Sequence, residues 1–192
     1  MADKHQKVVG IRQLYHATTL DQVDNIVRQG VNPLCQKPGS RLDFGPGFYT
    51  TSQNAQAREF ALMKQDVRGG LAAILEYDLP PDFWEDLTGV EFDLRGNATW
   101  KKFVMGFRSG SVAAVDDGVD YVYGPVADNL KLMKTAGKLP TPIRPSGRGY
   151  YDQISFHSGE AVRRLNDLMK KGGCYLWVWS NDTWTRRRLI RS

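Results

Sequence analysis

Cysteine is scarce in this 192-residue chain, and the two present, Cys35 and Cys174, form no Cys-X-X-Cys pair and have no nearby histidine. That spacing points away from a zinc site or a redox pair, so no metal is expected, and it fits a reducing compartment. Long apolar runs are missing as well, since none approaches the roughly 18 residues that a spanning helix requires. The opening Met1-Ala2-Asp3-Lys4-His5-Gln6 has no signal-peptide core. The expectation is a cytoplasmic protein with no membrane partner or, if it is a toxin, one delivered into a target cell by a route the sequence does not display. No Gly-X-Gly-X-X-Gly follows a strand, and there is no Walker loop and no nucleophile elbow, which argues against a Rossmann dehydrogenase.

What the chain does have is apolar and aromatic mass: 41% hydrophobic residues, with five Trp, eight Tyr and eight Phe. This is enough for one buried core and too little for two, so residues 11–192 read as a single domain behind a tail of residues 1–10. A formal charge of +5 favours anionic partners, among them a dinucleotide, a nucleic acid or an acidic protein face. The basic residues are mostly dispersed. The exception, Arg186-Arg187-Arg188 with Arg191, reads first as protection of an edge strand and second as a phosphate contact.

Residues 10–18 read as a strand. Thr19 and Gln22 then form a capping-box pattern ahead of Leu20, Val23, Ile26 and Val27, and Gly30 stops the helix. A loop over 32–47 leads to a short strand at 48–51, and Ser52 is positioned to cap a second helix bearing Ala57, Phe60, Ala61 and Lys64. Residues 71–79 read as a strand ended by Pro80-Pro81. Trp100, Phe103, Val104 and Phe107 share one helical face and are assigned to the core. Strands follow at 120–124 and 151–156, the second after a Pro/Gly/Arg-rich loop over 138–149; Ser158 caps a last helix, and 174–179 with 184–190 make a C-terminal hairpin.

Three separated segments carry the chemistry: Leu14-Tyr15-His16-Ala17-Thr18, Phe44-Gly45-Pro46-Gly47-Phe48-Tyr49 and Tyr151-Asp152-Gln153-Ile154-Ser155-Phe156. Cleavage of the nicotinamide bond of NAD needs no strong nucleophile from the protein, because nicotinamide leaves as a neutral molecule and the ribose develops oxocarbenium character. Geometry and electrostatics suffice: a histidine on one ribose hydroxyl, backbone on the carboxamide, an aromatic ring on the nicotinamide and a third polar group on the other hydroxyl.

In order and local context these segments resemble the diphtheria-toxin-like, poly(ADP-ribose)-polymerase-like ADP-ribosyltransferases, and more narrowly a little-characterised bacterial and fungal branch, DUF3990-like, with a His-Tyr-Gln motif. The resemblance covers roughly residues 13–168, with Gly124-Pro125-Val126-Ala127-Asp128 as a further landmark. It implies an α+β fold in which two packed, mainly antiparallel sheets form an NAD cleft flanked by helices. It implies His16, Tyr49 and Gln153 as the catalytic set, and His16, Ala17, Thr18, Phe44, Gly45, Gly47, Tyr49 and Phe60 as the residues that hold NAD, the co-substrate. Tyr49 would stack on nicotinamide and Phe60 would face it.

Two positions depart from the family pattern. Ala17 stands for the usual glycine, and Gln153 for the usual glutamate; an amide orients a sugar but supplies no charge and no base. Polymer elongation is thereby disfavoured. Mono-ADP-ribosyl transfer to a macromolecular acceptor, protein or nucleic acid, is the leading expectation, with a non-catalytic NAD or ADP-ribose module and an NAD glycohydrolase as alternatives. Arg41 and Asp43 read as a solvated arginine and a turn aspartate before they read as dinucleotide contacts, and Glu160 serves the start of its helix.

Overall fold

The computed structural model describes residues 7–33, 42–128, 138–147 and 149–189. In chain order the elements are β1 (Gln13–Thr19), α1 (Leu20–Gln29), β2 (Phe48–Thr50), α2 (Asn54–Arg68), β3 (Ala72–Asp78), β4 (Gly89–Glu91), α3 (Ala98–Ser109), β5 (Tyr121–Pro125), β6 (Asp152–Phe156), α4 (Gly159–Lys170), β7 (Cys174–Ser180) and β8 (Thr183–Arg188). They build an α+β architecture of two four-stranded sheets, ordered β1-β3-β7-β8 and β2-β6-β5-β4. Every pairing is antiparallel except the parallel β4–β5 pair.

Alternation along the strands decides which layer each side chain enters. Leu14, Leu75 and Tyr77 from the first sheet meet Phe48, Tyr121, Ile154 and Phe156 from the second in one apolar layer, which Val23 of α1 and Leu165 of α4 extend. On the outer face of the first sheet Tyr15, Ala17 and Ile74 pack under Ala57 and Ala61 of α2. On the outer face of the second sheet Val122 and Phe44 pack under Trp100 and Val104 of α3. Covered on both faces, β3 is buried over Ala72–Tyr77 and reads as a nearly continuous apolar run.

The core face expected for Trp100, Val104 and Phe107 is the one α3 buries. Ser158 caps α4, accepting from the Ala161 amide at 3.1 Å. Two expected caps do not form. Thr19 precedes α1 without a side-chain cap bond, its hydroxyl serving Asp21 while the Gln22 amide also donates to Asp21, so the capping box is absent. Ser52 gives way to Gln53 as the residue before α2, because the Ser52 hydroxyl is drawn to the buried Asp152 carboxylate. β4, three residues long, was not expected; a period of two has no room to declare itself in so short a segment. Among the described residues no helix is long and apolar enough to cross a membrane.

Candidate functional site

The glycine loop before β2 is strapped to the second sheet at three points. Asp43 is the first: its carboxylate accepts from Arg108 Nε at 2.5 Å, from the Ala127 amide at 2.8 Å and from Gln153 Nε2 at 2.6 Å. Arg108 in turn donates to the Ala127 carbonyl at 3.1 Å. The Tyr49 hydroxyl is the second, donating to the Gly45 carbonyl at 2.7 Å and accepting from the Phe44 amide at 3.0 Å. Burial raises its pKa further above the ordinary phenol range. His157 is the third. Its Nδ1 lies 2.7 Å from the Pro46 carbonyl, which only accepts, so Nδ1 carries the proton and Nε2 accepts from the Ser155 hydroxyl, also at 2.7 Å.

Glycine is required where this loop touches its neighbours. Gly45 has φ +76° and a Cβ there would sit 2.6 Å from the Phe107 ring, while at Gly47 a Cβ would lie 2.9 Å from the His157 ring. Phe44 anchors the loop from below, packed on Phe92 and Phe103.

Among the described residues the backbones of the two sheets are joined at a single bridge, where Tyr15 and Thr51 exchange bonds of 2.9 and 3.0 Å. Continued by two residues, that ladder would pair Ala17 with Tyr49. The strands part instead, and the Tyr49 carbonyl accepts from His16 Nδ1 at 2.7 Å. The imidazole stacks on Phe48 with centroids 4.3 Å apart. Burial, and then the nearby Lys64 ammonium, push its pKa down to about 3, so the ring is neutral at pH 7. With Nδ1–H committed to a carbonyl, Nε2 is fixed as an acceptor.

Because Tyr15 turns its backbone groups toward β2, Ala17 two residues on turns its own toward the same opening. Its carbonyl accepts from Lys64 Nζ at 2.6 Å, and burial with the charge of Arg68 lowers the Lys64 pKa to about 8. Lys64 was named in the sequence only as a residue of the second helix and was given no part in the site. The signal was its place seven residues after Ala57 and three after Ala61, on the face of α2 that packs against β1.

His16, Ala17 and the Tyr49 carbonyl thus meet at one seam. Tyr49 and Gln153 share the outer face of the second sheet, since Tyr49 pairs with Ser155, two residues from Gln153. The rings of His16 and Tyr49 emerge on opposite faces of β2, His16 against Phe48 and Tyr49 among the Phe44–Trp100 cluster. Gln153 donates to Asp43 and, at 3.1 Å, to the Pro125 carbonyl, which leaves Oε1 as the group it has to offer. Phe60 packs edge-on against Tyr151, 5.6 Å between centroids, in the α2 cluster and apart from Tyr49. Thr18 is buried within the β1–β3 pairing. Arg41 lies outside the described residues.

Two surface cavities lie elsewhere. One of about 300 Å³ sits between Pro80–Asp86 and α4, and one of about 630 Å³ runs along α3 beside Leu139.

A family described as protein of unknown function (DUF3990) matches residues 13–141, more than half of the chain. The chain belongs to the DUF3990 family. The match takes in the His16 strand, the Asp43–Tyr49 loop and α3, and it ends before Gln153 and the β7–β8 hairpin. No curated protein matches the chain.

Proposed function

We propose that this DUF3990 member has an ADP-ribosyltransferase fold and is an NAD-dependent mono-ADP-ribosyltransferase. The observation that carries the reading is the parted β1–β2 seam, where a neutral His16 presents an Nε2 acceptor beside the outward-facing backbone of Ala17. These are complementary to a ribose hydroxyl, which donates, and to a carboxamide, which does both. In the reaction the bond between ribose C1 and the nicotinamide nitrogen breaks with its electron pair leaving on nicotinamide. A nucleophilic oxygen or nitrogen of the acceptor bonds to that carbon and gives up its proton. Tyr49 contributes through its carbonyl, which sets the His16 tautomer, and Gln153 through Oε1 and through holding Asp43.

A second reading, a module that binds NAD or ADP-ribose without cleaving it, draws on two observations: Gln153 supplies no charge, and Lys64 already occupies the Ala17 carbonyl. Incubation with NAD labelled in both the nicotinamide and adenylate halves separates the possibilities. The expected result is nicotinamide release with label on a macromolecule, both lost in His16→Ala. Full activity in His16→Ala refutes the assignment. NAD binding without release supports the module, and free ADP-ribose as the sole product supports a glycohydrolase.

A further inference from the structure

The outer face of the C-terminal hairpin lies outside the candidate site. The register sets Tyr175 beside Arg188, Trp177 beside Arg186 and Trp179 beside Trp184, all on one face. Aromatic and guanidinium groups therefore interleave over about 13 Å of strand. The Arg186 guanidinium lies 3.5 Å from the Tyr175 ring centroid and is held flat by Glu76, which accepts from its Nε at 3.0 Å and its terminal nitrogen at 2.7 Å. Glu76 is 3% exposed and Arg186 37%, so the cation faces outward and its counter-charge inward.

From α2, Arg58 reaches over the same face, 4.8 Å from the Trp177 ring and 5.7 Å from the Trp184 ring. Its buried Nε has no hydrogen-bond partner. Trp179 and Trp184 lie 5.5 Å apart, tilted at 51°, and are half-buried. The acidic groups nearby are the buried Glu76, Asp78 bonded to Gln13, and Asp182 in the hairpin turn. Arg58 lies over Trp177 and Trp184 and Arg186 over Trp177, whose Nε1 donates to the inward-facing Glu76 carboxylate at 2.5 Å.

We propose that this face binds single-stranded nucleic acid, with bases stacking on Trp179 and Trp184 and phosphates meeting Arg58, Arg186 and Arg188. Indole rings beside guanidinium groups, of which Arg58 has no ion pair among the described residues, complement unpaired bases on a polyanionic backbone, a combination that a duplex, with its bases stacked inward, does not offer. The span fits two or three stacked bases. Binding stands independently of the transferase reading; that the bound strand is the acceptor rests on it.

The test is fluorescence anisotropy, without NAD, using labelled oligothymidylate and oligouridylate of about 12 nucleotides and a duplex of the same length. The first two probes distinguish DNA from RNA. The expected result is binding of at least one single strand at low salt, with the duplex at least about tenfold weaker. Three neutralised phosphates give a slope of about −2 in log affinity against log salt. Trp179→Ala with Trp184→Ala should weaken binding by about 10-fold or more, and Arg58→Ala by about 3-fold or more. Arg187→Ala, on the opposite face of β8, removes the same charge and should have the smaller effect. Urea midpoints on every variant, together with Trp184→Phe as a stacking-competent replacement, separate lost binding from lost folding. The proposal is overturned if neither strand binds, if the duplex binds equally, or if folded platform variants bind like the wild type.

Discussion

Replacing Gln153 by glutamate restores the charge that the resemblance leads one to expect, and the structure says what that costs. The amide donates at 2.6 Å to the Asp43 carboxylate, so Gln153→Glu sets two carboxylates against each other in a buried site. At about 3 Å and an effective dielectric near 20 their repulsion is about 5 kcal/mol, part of it offset by Arg108. Proton uptake caps the penalty, at about 1.4 kcal/mol for each pH unit above the ordinary glutamate value near 4.3. The cap is about 4 kcal/mol at pH 7. Losing the donation to the Pro125 carbonyl adds about 1 kcal/mol at every pH.

The sign follows from linkage. The pair's folded pKa lies above the unfolded value, so between the two the native state binds more protons and stability falls as pH rises. Urea unfolding followed by tryptophan fluorescence, wild type against variant at pH 5 and pH 7.5, should show a deficit of about 2 kcal/mol growing to about 5. Adding Asp43→Asn, which returns one carboxylate and one amide to the pair beside Arg108, should recover most of it at the higher pH. A deficit that stays constant or shrinks with rising pH refutes the reasoning. The same result makes the double variant, rather than Gln153→Glu alone, the proper probe of whether a charge at this position speeds catalysis.

Gly45→Ala meets both a positive φ and the Phe107 ring at 2.6 Å, whereas Gly69→Ala meets a similar φ of +75° with nothing within 4 Å. The first should lower stability by about 2–4 kcal/mol and the second by about 1, read from urea midpoints; equal losses would mean that the loop does not pack on α3 as described. Lys64→Met removes the cation that helps hold down the His16 pKa, so the imidazole midpoint, followed by nitrogen NMR, should rise from about 3 while burial keeps it below 6.5. Lys64 itself titrates near 8 folded and 10.5 unfolded. The unfolded wild type binds the extra proton in that window, so its stability should gain between pH 8 and 10.5 relative to Lys64→Met. An unmoved His16 titration would place Lys64 away from the seam.

Where the sequence was informative, the elements were long enough to show a period. The face of α3 that Trp100, Val104 and Phe107 mark is the one it buries, and the strand runs ending at Thr19, Asp78 and Phe156 form the backbone of both sheets. The expected arginine-bearing edge strand is β8, at the end of its sheet. Local pattern failed where a tertiary partner outbid a local one. Thr19 and Ser52 are good capping residues, and their hydroxyls turn instead to Asp21 and Asp152.

The resemblance names the candidate site as a set of residues and not as a geometry. That Gly45, Gly47, Tyr49 and Gln153 are joined through a strapped loop depends on Asp43, which was read as a turn residue and instead gathers three donors. Asp43 pairs with Arg108, 65 positions away, and with Gln153, 110 positions away, and no local window contains such pairs. The faces on which His16 and Tyr49 emerge follow from where β1 and β2 part after one bridge. Where they part, the imidazole stands in place of the Ala17 amide as donor to the Tyr49 carbonyl. A histidine at this strand end therefore has two consequences, an opening between the sheets and a fixed acceptor beside it, so His16→Ala should let Ala17 and Tyr49 approach as well as remove a ring nitrogen. His16→Asn, whose side-chain amide can still donate to that carbonyl while presenting its own oxygen, tests which consequence matters. If the opening is what binding requires, NAD binding should survive in His16→Asn and fail in His16→Ala; equal loss in both would assign the effect to the imidazole itself.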